Sequence, residues 1–260
     1  MMRLMFFFPS AILFILGAII ASFIGVLVVR LNTGQSFLKG RSHCDVCNTP
    51  LTPGALVPII SYVVSQGRAQ CCGARISLAS PLTEVLLGGL FALSYLNLGL
   101  VIALPFMLFS LSILLALVLY DLRHQILPAQ FLWMFVVAST ITGFLSASSP
   151  GDFYGTLVVA SFIALSLAVV HVLSRGRAMG LADAPLAFGL ALLVGPAAFP
   201  GFIFSFWIGA AIGIVLLLKR PQGSRMGVEV PFAPFLAAGF LLAYFTQWNP
   251  FIFIAALSAH

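Results

Sequence analysis

Long apolar runs, separated by shorter polar stretches, dominate the chain from one end to the other. A helix that crosses a bilayer needs about 20 predominantly apolar residues, because the hydrocarbon core is about 30 Å thick. Eight stretches approach or meet that length: residues 6–29, 80–97, 100–120, 129–147, 154–173, 184–199, 202–218 and 230–248. The pattern therefore predicts an all-α polytopic membrane protein with about eight transmembrane helices.

The boundary between the sixth and seventh stretches is the least regular part of this pattern. Gly195, Pro196, Pro200 and Gly201 crowd together there, and both residue types interrupt helices. Two interpretations remain open. The chain either turns back between two short helices or continues as one long broken helix, which would change the number of spans and the topology.

Polar residues concentrate in one long interruption, from about residue 31 to residue 80. It contains all four cysteines of the chain. Inside it, the stretch LVPIISYVV is apolar but too short to span a bilayer, so we expect it to lie against the membrane or pack on the helices. This organisation predicts three regions: a first transmembrane helix at 1–30, a cysteine loop at 31–80, and a transmembrane bundle at 81–260.

Composition and charge favour a membrane protein over a nucleic-acid-binding one. The chain is 62% hydrophobic and 7% charged, whereas soluble domains carry about 25% charged residues. The net charge of +6 is not gathered into one patch, because every Lys and Arg except Arg3 lies in or beside alternate loops. Loops rich in Lys and Arg stay in the cytoplasm, so the pattern predicts a multi-pass protein whose cysteine loop is cytoplasmic.

The four cysteines form two pairs. Cys44 and Cys47 have the C-x-x-C spacing that can hold one tetrahedral zinc ion, whereas Cys71 and Cys72 are adjacent, which is awkward for a chelate. His43 could replace one thiol as a ligand. A cytoplasmic loop favours metal binding or free thiols over disulfides. Two interpretations stay open: an irregular zinc site formed by these four cysteines, or a loop that has lost its metal.

Two of the six acidic residues, Asp121 and Asp183, stand at the edges of apolar stretches. An ionisable group is costly to remove from water there, which indicates a function. Ordinary structural roles are open for both: Asp121 could end a helix and pair with Arg123, and Asp183 could cap the helix that includes Pro185. The topology, however, places both carboxyl groups at the cytoplasmic face.

Two carboxyl groups at one membrane face form a candidate acid–base pair. Neighbouring carboxylates cannot both ionise readily, so they share a proton. The ionised group can take a proton from water while the protonated group donates a hydrogen bond to a peptide carbonyl, which gives hydrolysis without a covalent intermediate. A serine hydrolase is not supported, because the sequence has no G-x-S-x-G elbow and no suitable arrangement of histidine and acid.

Several ordered motifs between about residues 17 and 190 resemble those of the type IV prepilin peptidases, a family of polytopic aspartic proteases. The motifs are, in chain order, ASFIG at 21–25 with Arg30-Leu31, RSHCxxC at 41–47, PIISY at 58–62, CGA at 72–74, P-L-x-E at 81–84, Asp121 with Leu127-Pro128, and Gly180-x-x-Asp183. In the first motif, Ala21 replaces the usual Gly and Gly25 replaces the usual Asn. Three further departures matter more: Cys71 is shifted, Ala182 replaces a usual Gly, and Pro185 replaces a frequent Lys.

The resemblance implies an activity and its partners. It implies that Asp121 and Asp183 are a catalytic dyad, and that the substrate is a prepilin or pseudopilin whose basic leader is cleaved at the cytoplasmic face of the bacterial inner membrane. Many family members also methylate the new N-terminus with S-adenosylmethionine, an activity often associated with the cysteine loop. The alternatives are a peptidase without methyltransferase activity, an accessory pilin-binding protein, and a small cation- or proton-coupled transporter, which would place acidic residues near mid-membrane.

Overall fold

The computed structural model describes residues 2–31, 43–44, 46–177, 179–218 and 231–250. Arg41 and Ser42 of the cysteine-loop motif and the basic residues at 219–225 lie outside these ranges. Helices account for the extended regular structure of the described residues: α1 Met2–Arg30, α2 Ile60–Val64, α3 Ala79–Leu98, α4 Ala103–His124, α5 Ala129–Ser146, α6 Pro150–Ser174, α7 Asp183–Val194, α8 Ala198–Leu218 and α9 Ala233–Thr246. Each of the eight predicted apolar stretches contains one helix, so the all-α membrane class is confirmed.

Local signals in the sequence explain where several helices begin and end. The side chain of Ser149 accepts a hydrogen bond from the N–H of Asp152 at the start of α6, and Pro150 follows it in the first turn. Both are favoured at those positions. At the C-terminal end of another helix, α3, Gly99 adopts φ 71°, a positive value that glycine reaches without steric cost. The helix therefore stops there.

Six runs of described residues are long and apolar enough to cross a membrane: Phe8–Arg30, Ala79–Leu98, Ala103–His124, Ala129–Ser146, Pro150–Ser174 and Asp183–Leu216. Ala233–Thr246 is a shorter apolar helix. The last of the six runs contains both α7 and α8, joined by a 3₁₀ turn at Gly195–Ala197. At 12 residues, α7 is about 18 Å long, which is less than the thickness of the hydrocarbon core.

The chain reverses direction between α7 and α8. Gly201 of α8 lies against Phe240 and Gly209 lies against Phe235, so α8 runs antiparallel to α9. Ala233, the first residue of α9, donates a hydrogen bond to Asp121. Asp183, the first residue of α7, lies within range of the charge of Asp121. Because α7 and α9 start at the same end, α7 and α8 run in opposite directions. This supports the interpretation of two short helices with a turn.

The chain divides into two compact units, Met1–Leu100 and Val101–His260. In the first unit, α1 packs on α3 at a point where the backbones nearly touch. A Cβ on Gly17 would lie 2.8 Å from the Cα of Gly88, and a Cβ on Gly88 would lie 2.7 Å from the carbonyl oxygen of Phe14. Small residues at such crossings are typical of helix packing in lipid.

The second unit contains α4 to α9, with α7 at its centre. Helix α7 packs against α5, α6 and α9, and nearly all of its residues are buried. A helix that is apolar all round is expected in such a position. The buried helix brings its first residue, Asp183, to the end of the unit where α4 finishes and α9 begins.

Candidate active site and candidate metal centre

Asp121 lies in the last turn of α4 and is 6% exposed. Its Oδ2 accepts a hydrogen bond of 3.3 Å from the backbone N–H of Ala233, the first residue of α9. The first N–H groups of a helix have no partner within that helix, and the helix dipole adds positive potential at this end. Arg123, the partner considered from the sequence, is exposed. The carboxylate therefore points into the unit and is held by α9.

Asp183 is the first residue of α7 and is 7% exposed. Its Oδ2 accepts a hydrogen bond of 3.2 Å from the N–H of Gly180, and its own N–H donates to the carbonyl oxygen of Gly180 at 3.3 Å. An ordinary capping side chain accepts from an N–H two or three residues further along the helix. Asp183 instead accepts from the N–H three residues earlier, as the acidic residue of a capping box does, so it does not act as the N-cap residue itself.

The fold brings these two carboxyl groups to the same end of the second unit, within range of each other's charge, although 62 positions separate them in the sequence. Each belongs to a different helix, each is buried, and each accepts one backbone N–H. Carboxyl groups that interact in a site with little water favour a shared proton. The arrangement can therefore supply one group that accepts a proton and one that donates.

Neither departure from the family motif near Asp183 disturbs the backbone. Ala182 has φ −69° and ψ −16°, a right-handed conformation that alanine adopts without strain. Pro185 lies in the first turn of α7, where a backbone N–H has no helical partner to lose. The usual glycine is not required for the conformation seen here.

All four cysteine sulfurs lie within 4.8 Å of one another. The Sγ–Sγ distances are 3.2 Å for Cys47 and Cys71, 3.7 Å for Cys44 and Cys72, and 3.9 Å for Cys71 and Cys72. Zinc–sulfur bonds of about 2.3 Å in a tetrahedron give sulfur–sulfur edges of about 3.8 Å. The four thiols therefore fit one zinc ion. Among the described residues, the candidate ligand set consists of these cysteines without His43.

Two tight turns bring the cysteine pairs together. In the first, the N–H of Cys44 donates to the carbonyl of Thr49, and residues 43 and 50 form an isolated bridge. In the second, the N–H of Gly73 donates to the carbonyl of Ala69, and Gly73 adopts φ +71°. The left-handed glycine lets the chain turn immediately after Cys72. The adjacent cysteines, which looked awkward from their spacing, both reach the cluster.

The thiols of the cluster differ in acidity because of their hydrogen bonds. The contact with the Thr49 hydroxyl lowers the pKa of Cys47 to about 6, and the hydrogen bond to Cys47 raises the pKa of Cys71 to about 12. A thiolate at Cys47 is the form that binds metal. The remaining thiols must lose their protons as the ion is bound.

A buried carboxylate connects the cysteine region with α3. Glu84, 5% exposed, accepts a hydrogen bond of 2.7 Å from the N–H of Ile59. Ile59 has φ 62° and ψ −52°, an uncommon conformation for a β-branched residue, and the N–H of Ile60 donates across it to the carbonyl of Pro58. Glu84 belongs to the P-L-x-E motif, but no role could be predicted for it from the sequence, because its partner is a backbone amide.

Comparisons with known proteins cover both parts of the chain. Residues 15–98 match the family model described as the bacterial peptidase A24 N-terminal domain. The chain is 33% identical over 239 residues to the prepilin leader peptidase/N-methyltransferase of Bacillus subtilis (strain 168), covering 90% of this chain and 93% of that protein. The chain belongs to the prepilin leader peptidase/N-methyltransferase family.

Two other proteins with prepilin-processing names are also similar to this chain. The enzyme of Myxococcus xanthus (strain DK1622) is 30% identical over 216 residues, covering 80% of this chain and 63% of that protein. The type 4 prepilin-like proteins leader peptide-processing enzyme of Escherichia coli O78:H11 is 28% identical over 262 residues, covering 89% and 91%. No solved structure matches the chain significantly. The family model includes the cysteine cluster, whereas both aspartates lie beyond it.

Proposed function

We propose that this protein is a membrane-embedded aspartic endopeptidase that removes the basic leader from type IV prepilins or pseudopilins, with Asp121 and Asp183 as its catalytic dyad. The observation that carries the proposal is the convergence of two buried, interacting carboxyl groups at one end of the second unit. The names of the relatives support the substrate class, because they describe prepilin leader peptidases.

The dyad would hydrolyse the peptide bond by general acid–base catalysis. The ionised carboxylate takes a proton from a water molecule while the oxygen of that water attacks the scissile carbonyl carbon. At the same time, the protonated carboxyl group donates a hydrogen bond to the carbonyl oxygen. The proton is then passed to the leaving amine. The N–H groups of Gly180 and Ala233 each bind one oxygen of an aspartate, which leaves the other oxygen of each carboxyl group for water or substrate.

We place the cleavage at the cytoplasmic face of the bacterial inner membrane. Asp121 is followed two residues later by Arg123, and Arg175 and Arg177 precede Asp183 in the loop before α7. Basic loops favour the cytoplasm, so the end of the bundle that carries the dyad would face it. A prepilin with a basic leader and an apolar helix would present its junction at this depth.

We further propose that the four-cysteine cluster holds a structural zinc ion and that N-methylation of the new N-terminus follows cleavage. The sulfur distances support the metal, and the names of the relatives support the second activity. Zinc bound to Cys44, Cys47, Cys71 and Cys72 would fix the two turns of the loop. S-adenosylmethionine would supply the methyl group when bound. A peptidase that lacks this transfer is the alternative.

Substitution of each aspartate tests the dyad. Asp121→Asn and Asp183→Asn keep the size of the side chain but remove the acid. Each variant should insert into the membrane at normal levels and leave a co-expressed prepilin at its full length, measured by mass spectrometry. Asp152→Asn is the matched control, because Asp152 is exposed at the start of α6. Normal cleavage by either dyad variant would contradict the assignment and favour a transporter or a pilin-binding role.

A further inference from the structure

A single peptide unit in the loop before α7 is held from both of its sides. The carbonyl oxygen of Met179 lies 2.8 Å from Nδ1 of His171, which belongs to the last turn of α6. The N–H of the same peptide unit, on Gly180, donates to Oδ2 of Asp183 at 3.2 Å. His171 is thus connected to the carboxylate of Asp183 through one peptide group.

The hydrogen bond between His171 and Met179 determines which ring nitrogen of His171 carries a hydrogen. A carbonyl oxygen only accepts hydrogen bonds, so Nδ1 of His171 must carry the proton that is shared with Met179. Gly176 lies close to the ring, because a Cβ built on this glycine would be 3.3 Å from Cε1 of His171. The N–H of Gly176 donates to the carbonyl of His171 at 2.8 Å. The ring of His171 is therefore oriented by the hydrogen bond that Nδ1 donates to the carbonyl of Met179, and Gly176 lies beside it.

The peptide group transmits this orientation to the aspartate. A peptide unit is planar, so fixing the direction of its C=O fixes the direction of its N–H. Hydrogen bonds in a chain also polarise one another, which strengthens donation from the Gly180 N–H. We propose that His171 is a positioning residue for catalysis: it holds the Met179–Gly180 peptide so that its N–H orients the carboxylate of Asp183. This inference rests on the proposed role of Asp183.

Two substitutions at one position separate the hydrogen bond from the packing. His171→Phe retains a flat ring against Gly176 but has no donor, whereas His171→Asn can place an amide N–H near the position of Nδ1. For a purified enzyme with a prepilin substrate, we expect His171→Phe to lower kcat about fivefold or more, the scale of one hydrogen bond. KM should change little, because His171 acts on Asp183 and not on the substrate. His171→Asn should recover most of kcat.

Met179→Leu is the matched control, because the contact uses the backbone carbonyl of Met179 and not its side chain. Wild-type kcat in His171→Phe, or an equal loss in the Phe and Asn variants, would overturn the inference while Asp183→Asn remains inactive. Full activity of Asp183→Asn would instead overturn the proposed dyad, and the inference with it. The two failures are therefore distinguishable within one set of variants.

Discussion

Replacing Gly239 by alanine should loosen the contact between α8 and α9. A Cβ at Gly239 would lie 2.6 Å from the Cα of Ser205 and closer still to the backbone nitrogen of Ser205. Carbon atoms in favourable contact are about 3.5–4.0 Å apart. The two helices must therefore separate by about 1 Å. Their separation would also weaken the hydrogen bond from Ser205 Oγ to the carbonyl of Leu236, now 3.2 Å.

The expected destabilisation follows from opposing contributions. Overpacking of this kind costs about 1–3 kcal/mol, and the weakened hydrogen bond adds up to about 1 kcal/mol. Alanine gains back about 1 kcal/mol over glycine from helix propensity. Together these contributions lower the free energy of unfolding by up to about 3 kcal/mol, which corresponds to a decrease in Tm of up to about 12 °C for a chain of this size.

Thermal unfolding in one detergent measures the effect, and Gly213→Ala provides the control. Gly213 belongs to α8, the helix that Gly239 contacts. Apart from the neighbouring backbone of its own helix, no heavy atom of the described residues lies within 4 Å of a Cβ at Gly213, so alanine there gains propensity without a clash. We expect Gly213→Ala to keep or slightly raise Tm while Gly239→Ala lowers it. An equal change in both variants would refute the packing argument.

Two further measurements address the second activity and the metal. The new N-terminus of a pilin processed by this enzyme should be heavier by one methyl group in mass spectrometry, and an unmodified N-terminus would show a peptidase alone. Purified protein should contain about one zinc ion per chain, because a structural site is closed by four ligands. Cys44→Ser and Cys72→Ser should each remove most of that zinc, whereas His43→Ala, outside the ligand set, should retain it.

The helices were predictable because the apolar stretches are long and their ends carry Gly, Pro or Ser. The reversal between α7 and α8 was not, because Gly195 and Pro196 are equally suited to a turn and to a break in one helix. Only the pairing of α8 with α9 distinguishes these cases. The direction of a chain after a break depends on packing with distant residues, which local composition does not encode.

In the candidate sites, too, some features were predictable from the local sequence and others depend on the fold. Spacing alone made Cys71 and Cys72 look poorly suited to one metal, although Cys72-Gly73 resembles the end of a metal-binding knuckle. The left-handed conformation of Gly73, which lets both thiols reach the cluster, is visible only in the fold. His171 gave no signal at all, because its partner is a backbone carbonyl and any residue could supply one. Asp121 and Asp183 were named from their positions, and their catalytic role stays a prediction that the substitutions will test.

The hydrogen bond from Ile59 to Glu84 has a consequence for dissecting the protein. Glu84 is the sixth residue of α3, so the segment before α2 is attached within the first two turns of a membrane-spanning helix. A soluble peptide cut from residues 43–77 would lose the acceptor for the Ile59 amide and the helix that carries it. We therefore expect the smallest fragment that folds with an intact cysteine cluster to be the whole first unit, Met1–Leu100. This fragment contains membrane-spanning helices and would need detergent.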